Sequence, residues 1–307
     1  MNGLEMIGSF LRGVKQFVYG VPALRHLGEM RAQTEYLARE VGRLAAAERR
    51  SAWQQRRHSA QGTQTRASFD YQWDKMPTGN ALPSDPAFLA GLEGRLAEMV
   101  QKPREWFKDK RVADIGCGMG RYSLGLLKLG AAVTACDQSE AALRRTAELC
   151  GESGDRLTLK RIDLLSWDEP AEFDLAFSFG VVHHTGNTYL AMENVCRKVA
   201  PGGRVFFMIY GVPATRPAFL EVNEYEQIAA TIRDLSFDER KQCLEQRFGA
   251  AAAHGWFDAT SPRINDRLTF EEIHDVLTEL GFVNIKRVVV ARNHQIVADR
   301  PVAAAVR

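Results

Sequence analysis

Val112-Ala113-Asp114-Ile115-Gly116-Cys117-Gly118-Met119-Gly120-Arg121 is the stretch that decides the fold. An apolar run ends in an acidic residue, three glycines follow at alternate positions, and a helix-like segment (Tyr122 to Leu129) comes next. Glycine at every second position lets the main chain turn sharply and bring its amides close to a ligand. This is not the dinucleotide fingerprint, whose third glycine would stand where Arg121 does. Nor is it a phosphate-binding P-loop, because no Gly-Lys-Ser/Thr follows. An NAD-dependent dehydrogenase is disfavoured on that ground.

Outward from this loop, strand-like runs alternate with helical ones. The strands read as Arg111–Ile115, Ala132–Cys136, Leu157–Arg161, Leu175–Phe179 and Gly203–Tyr210, with helices at Tyr122–Leu129, Glu140–Cys150 and Tyr189–Lys198 between them. Such alternation predicts an α/β fold, a parallel sheet with helices on both faces. A helical stretch from roughly Pro217 to Ala253 interrupts it. A helix at Phe270–Leu280, opened by the capping pattern Thr269-Phe270-Glu271-Glu272, and strands Val283–Ala291 and His294–Ala298 complete the chain. Before the first strand a helix is expected over about Pro86–Val100.

In an open parallel sheet, ligands sit beyond the carboxyl ends of the strands. The chemistry-bearing residues fall at such ends. Asp114 and the glycine loop close the first strand, Asp137 the second and Asp163 the third. Asp137 can accept both ribose hydroxyls of a nucleoside, or it can cap the next helix with Ser139 nearby. Asp163 can accept from an adenine amino group, or it is a turn aspartate. The fourth strand, Phe173-Asp174-Leu175-Ala176-Phe177-Ser178-Phe179, leads into Gly180-Val181-Val182-His183-His184-Thr185, and Pro201-Gly202-Gly203 announces the fifth.

Taken in order and at these spacings, the motifs from about Arg111 to Tyr210 resemble the class I S-adenosylmethionine (SAM) methyltransferases, in the small-molecule branch that includes the ubiquinone-type enzymes. The resemblance implies a Rossmann-like fold with a mostly parallel seven-stranded sheet, and SAM as cofactor. It implies that Asp114, Gly116, Cys117, Gly118 and Gly120 hold the amino acid end of SAM. Asp137, with Gln138 beside it, would take the ribose, and Asp163 with Leu164 the adenine. Phe179 and the residues after it would face the methyl group.

Methyl transfer from a sulfonium mainly needs alignment, and an oxygen nucleophile also needs a base near neutral pH. His183 and His184 suit that pKa and stand where the acceptor should be. Adjacent residues point in different directions, so one of the two is expected to reach substrate; a histidine here can also just pack over SAM or bond to main chain. Residues 253–267, dense in aromatics and charge, read as a loop within a lid insertion of about 212–268. There Arg263 and Arg267 either grip an acidic acceptor or pair with Asp258 and Asp266. Trp73, beside Phe69 and Tyr71, and Tyr210 are the remaining acceptor-side candidates. No metal site is expected, since the His and Cys residues lack ligand spacing.

Residues 68–307 are thus read as the methyltransferase domain, preceded by a helical extension over 1–67. Ser59 to Ser68, polar and rich in Gly, Thr and Gln, suits a linker. Eleven of the 40 Lys and Arg but five of the 38 Asp and Glu fall before Ser68, so the basic character belongs to the extension and the body is slightly acidic. A helix is expected over Leu4 to Val18. Leu27, Met30, Thr34, Leu37, Val41 and Leu44 then form a seam of barely three heptads, which packs on the protein's own body or makes a homo-oligomeric coiled coil. Contact of the first helix with a membrane surface is a weaker reading, its apolar face lacking Trp.

No apolar run reaches the ~18 residues of a membrane span. Five cysteines without a Cys-x-x-Cys pair and no signal-peptide layout point to the cytoplasm. The expected activity is methylation of a hydroxyl on a small or medium-sized acceptor, glycan- or natural-product-linked, in a protein that does not bind nucleic acid. Two alternatives are a SAM-binding scaffold that no longer methylates and a protein or nucleic-acid methyltransferase. The second is disfavoured because Gly180-Val181-Val182-His183 stands where base-modifying enzymes often carry Asn/Asp-Pro-Pro-Tyr.

Overall fold

The structure, a computed structural model, describes residues 59–302 apart from 171, 214, 215, 291 and 292, together with residues 26–34 and scattered positions up to 48. The chain divides into two compact units, residues 1–49 and 50–307. In the first, residues 26–34 are helical, and Leu27, Met30, Leu37, Val41 and Leu44 of the heptad seam are all exposed. The helix expected over Leu4 to Val18 lies outside the described residues.

The second unit is built on a seven-stranded sheet: β1 (Arg111–Ile115), β2 (Ala132–Asp137), β3 (Leu157–Arg161), β4 (Phe173–Phe179), β5 (Val199–Tyr210), β6 (Val283–Val290) and β7 (Asn293–Asp299). Their order is β3-β2-β1-β4-β5-β7-β6. Every pair from β3 to β5 is parallel, and β7 runs antiparallel to both β5 and β6. This is the expected Rossmann-like, mostly parallel sheet. The chain leaves β1 toward β2 on one side and returns as β4 on the other, so the ends of β1 and β4 flank a topological switch point.

Both faces of the central strands are covered, which is why consecutive residues of β1 and β4 are buried rather than alternate ones. Phe177 of β4 stacks on Phe206 of β5 with ring centroids 4.6 Å apart, and Tyr122 packs 5.1 Å from Phe177. Burial of each such ring is worth about 1.5–3 kcal/mol. The covering helices nearest the site are α1 (Ala60–Lys75), α2 (Pro86–Ala90), α3 (Leu92–Val100), α4 (Arg121–Lys128), α5 (Glu140–Cys150) and α6 (Thr188–Arg197). The helix expected over 86–100 is therefore two, with Gly91 between them.

Three more helices form the insertion after β5: α7 (Arg216–Ile232), α8 (Phe237–Phe248) and α9 (Ala250–Thr260). The single long helix expected there breaks twice. Ser236 caps α8 through a reciprocal bond with Glu239, and Gly249 turns the chain at φ 83°. Residues 253–260, expected as loop, belong to α9. Ile228, Ile232, Leu244, Ala253 and Phe257 of the insertion form a second hydrophobic cluster with Met76 at the end of α1. Helix α10 (Phe270–Glu279) and the β6–β7 hairpin close the fold.

The linker expected over Ser59 to Ser68 is instead the first half of α1, capped by Ser59, whose side chain accepts from the Gly62 N–H at 3.1 Å. Its buried face is polar: Thr65, Ser68 and Gln72 are each at most 2% exposed. Those side chains satisfy the lid. Ser68 bonds the Ser261 hydroxyl at 2.9 Å, Gln72 donates to the His254 carbonyl at 3.2 Å, and Thr65 accepts from the Ile264 N–H at 3.0 Å. Among the described residues no helix is long and apolar enough to cross a membrane.

Candidate functional site

Beyond the ends of β1, β2 and β4 lies a cavity of about 430 Å³. One wall is the glycine loop. Gly116 and Gly118 hold φ of 73° and 55°, and a β-carbon would come within 2.2 Å of Val181 at the first and 3.1 Å of the Trp73 ring at the second. Only glycine fits either place, so the loop backbone itself forms the surface of the cleft. Asp137, closing β2, accepts from the Gly118 N–H at 3.0 Å and from the Ser139 N–H at 2.9 Å. Each carboxylate oxygen keeps a further lone pair. The capping reading does not hold, because Ser139 caps the next helix, its hydroxyl accepting from the Ala142 N–H at 3.4 Å; Asp137 instead braces the loop and borders the cleft.

Asp114 stands behind the loop rather than in the cleft wall, accepting from the Ser123 hydroxyl of α4 at 2.6 Å. Burial raises the carboxyls of Asp114 and Asp137 to about 6, against the pull of the Ser123 hydroxyl at Asp114 and of the Ser139 amide at Asp137. Exposed Asp163 also borders the cleft, accepting from the Leu165 N–H at 2.9 Å, with Leu164 beside it. Two carboxylates at the rim and one close behind it favour a cationic ligand.

The two histidines part company. His183 is fully buried, does not line the cavity, and both its ring nitrogens lack a hydrogen-bond partner. Its ring lies 4.0 Å from that of Tyr210 and 4.2 Å from that of His184, and burial keeps it neutral by driving its pKa well down. It is therefore not the histidine that meets a ligand in this cleft, contrary to the expectation that it is catalytic, and it packs behind His184 and Tyr210 instead. His184 does line the cavity. Its Nδ1 meets the Ile264 carbonyl at 2.8 Å, and a carbonyl can only accept, so Nδ1 carries the proton and Nε2 the lone pair. Burial lowers its pKa, with the Asp258 charge opposing. Its Nε2 has no hydrogen-bond partner among the described residues.

Of the residues expected from sequence, the cavity brings together Trp73, Gly116, Cys117, Gly118, Asp137, Gln138, Asp163, Leu164, Phe179, His184 and Tyr210. It leaves out Asp114, Gly120, His183, Arg263 and Arg267. Gly120 starts α4, where a β-carbon would press on Thr146 at 2.9 Å. Arg263, expected to grip the acceptor, instead donates to the Arg233 carbonyl at 2.8 Å and lies 3.9 Å from Asp234. Arg267 reaches toward the Gly211 carbonyl at 3.4 Å and lies 5.3 Å over the Tyr210 ring. Neither lines the cleft, and Arg263 pairs with Asp234 rather than with Asp258 or Asp266. The sequence reading missed Arg66, Tyr225, His254 and Asp258, all of which line the cavity. Arg66 sits on the helix read as a linker and His254 and Asp258 on the one read as a loop, where helical spacing would have placed the last two on one face.

A methyltransferase-domain family profile matches residues 113–205, the span that holds the glycine loop, both rim aspartates and His184. The chain carries a class I SAM-dependent methyltransferase domain. Within it the chain is similar to ubiquinone biosynthesis O-methyltransferases: 35% identical over 99 residues to that of Dechloromonas aromatica (32% of this chain, 43% of the relative), and 30% over 141 residues to that of Sinorhizobium medicae (44% and 56%). The chain thus spans about half the length of the curated relatives it matches. In fold, the methyltransferase domain and its surroundings are similar to an O-methyltransferase family protein from Burkholderia thailandensis (TM-score 0.50, 11% identity, 71% of this chain and 59% of that one). They are likewise similar to magnesium protoporphyrin IX methyltransferase from Synechocystis PCC 6803 with bound SAM (TM-score 0.50, 15% identity, 79% and 98%). SAM is the methyl donor of this family, and the cradle left by Gly116 and Gly118 together with the rim carboxylates of this methyltransferase domain fits it.

Proposed function

We propose that this protein methylates a hydroxyl oxygen of a small or medium-sized acceptor, with His184 as the general base. The observation that carries the reading is the bond from His184 Nδ1 to the Ile264 carbonyl, which turns an uncommitted basic nitrogen toward use at the cleft. When bound, SAM supplies a methyl group already activated by its sulfonium. The chain's own residues do the rest. Asp137 and Asp163 hold the hydroxyl and amino groups of the nucleoside, and the main chain at Gly116–Gly118 receives the amino acid end. Phe69, Trp73 and Tyr210 narrow the acceptor side and exclude water. The acceptor hydroxyl would give up its proton to His184 Nε2, and the nearby Asp258 charge would stabilise the resulting imidazolium. The names of the curated relatives favour oxygen over nitrogen as the nucleophile.

The test uses methyl-labelled SAM and extract of the source organism, divided into small-molecule, lipid, polysaccharide, protein and nucleic-acid fractions. Label in the small-molecule or polysaccharide fraction supports the reading, label in protein or nucleic acid refutes its acceptor class, and a blank in every fraction from a SAM-binding protein favours a scaffold. We also propose that the exposed heptad residues Leu27, Met30, Leu37, Val41 and Leu44 join copies of the chain. A β-branched residue at Val41 and Leu at positions 37 and 44 are the choices found in short parallel coiled coils.

A further inference from the structure

Helix α9 brings to the cleft a histidine that no sequence motif marks. His254 lines the same cavity as His184, is 6% exposed, and its ring stands 5.6 Å from that of Trp73, the residue packed on the glycine loop. Its Nδ1 meets the Met76 carbonyl at 2.9 Å. The argument made for His184 applies again: the carbonyl accepts, Nδ1 holds the proton, and burial keeps the ring neutral by lowering its pKa. Nε2 is left with its lone pair, since among the described residues the only side-chain bond of His254 is the one at Nδ1. One helical turn on, Asp258 lines the same wall, its Oδ2 accepting from the Tyr210 hydroxyl at 3.3 Å. The lid therefore contributes two hydrogen-bond acceptors, an imidazole nitrogen and a carboxylate, to a wall that also carries the rings of Trp73, Tyr210 and Tyr225.

We propose that His254 is a specificity-determining residue that accepts a hydrogen bond from a second donor group of the methyl acceptor, a hydroxyl or an N–H other than the one methylated. Asp258 is the neighbouring acceptor for the same purpose, so the lid selects molecules with at least two donors. This rests on the methyltransferase reading above. A wall of this make-up discriminates, because a molecule lacking the second donor displaces water from these acceptors without replacing its hydrogen bond.

Two variants separate this role from a structural one. His254→Asn keeps an N–H where Nδ1 bonds the Met76 carbonyl and removes the acceptor at Nε2. His254→Gln does the reverse, setting an amide oxygen near the Nε2 position. With methyl-labelled SAM and the extract fraction that the wild-type protein labels, His254→Asn should raise the apparent KM for that fraction about 10-fold with kcat little changed. His254→Gln should recover most of the loss, and both should bind S-adenosylhomocysteine as the wild type does in calorimetry. A merely structural histidine gives the opposite ranking, with Asn benign and Gln damaging, and that result overturns the proposal. Nitrogen-15 histidine spectra of the whole protein supply an arm independent of the acceptor: His254 protonated on Nε2 rather than Nδ1 at pH 7 also overturns it. If the wild type labels no fraction, the methyltransferase reading falls, and this inference falls with it.

Discussion

A β-carbon on Gly118 would lie 3.1 Å from the Trp73 ring, so the loop proposed to receive the methyl donor and helix α1 are in direct contact. Trp73 belongs to α1, and α1 is held to α5 by Arg145, which donates to the Trp73 and Asp74 carbonyls at 3.4 and 3.2 Å. Gly118→Ala should therefore fail twice, by its left-handed φ, at about 1–2 kcal/mol, and by displacing Trp73. The expected result is a lower thermal midpoint and SAM affinity reduced about 10-fold or more by calorimetry. Wild-type affinity in the variant would show that the loop moves freely from α1.

The buried carboxyls give a pH signature. Asp114 and Asp137 are raised from 3.8 to about 6, so between those values the folded protein without ligand holds protons that the unfolded chain has released. Their contribution to stability is thus greatest at low pH and is lost as pH rises through about 6. Binding of cationic SAM favours the ionised carboxylates and should weaken as pH falls below about 6. Calorimetric titration at pH 7.5 and 5.5 checks this. The affinity should drop at the lower pH, and drop less in Asp137→Asn; a flat profile would remove these groups from the site.

Replacing His184 should act on chemistry rather than on donor binding. His184→Ala is expected to slow transfer by ~10²-fold or more while SAM affinity stays within about twofold. His183→Ala should instead lower the thermal midpoint, since it empties a fully buried site, and leave the pH–rate profile in place. A normal rate in His184→Ala would end the general-base assignment.

Thr65 accepts from two lid amides, Arg263 N–H at 3.1 Å and Ile264 N–H at 3.0 Å. Thr65→Val keeps the shape and strands the Ile264 donor, a loss of about 1–3 kcal/mol. Urea denaturation reads it directly. A change within error would mean that solvent reaches those amides.

The proposed coiled coil is checked by sedimentation of the full chain. Leu37→Lys with Leu44→Lys places charges at two seam positions and should reduce the measured mass of the assembly to that of a single chain. Equal masses for variant and wild type would assign the seam to the chain's own body.

Much of this was legible because the signals were local. The glycine loop, the aspartates closing β2 and β3 and the alternation of strand with helix each depend on a few adjacent residues, and their placement followed. Helix α1 was not legible, because its buried face carries Thr65, Ser68 and Gln72, so no apolar stripe exists to reveal the period. Helix α9 was hidden by Gly249 and Gly255 and by a run of alanines that gives no amphipathic pattern. His254 and Asp258 were lost with it. Arg263 failed for another reason: its partners are the Arg233 carbonyl and Asp234, and main-chain oxygens leave no trace in a charge pattern.

The family match stops at residue 205, before the insertion after β5 begins, and the insertion packs its apolar cluster against the end of α1. On the function proposed above, donor and acceptor walls are therefore separately encoded. Substitutions at Tyr225 or His254 would reshape the second without touching the matched span, which makes the lid the place where one acceptor could be exchanged for another.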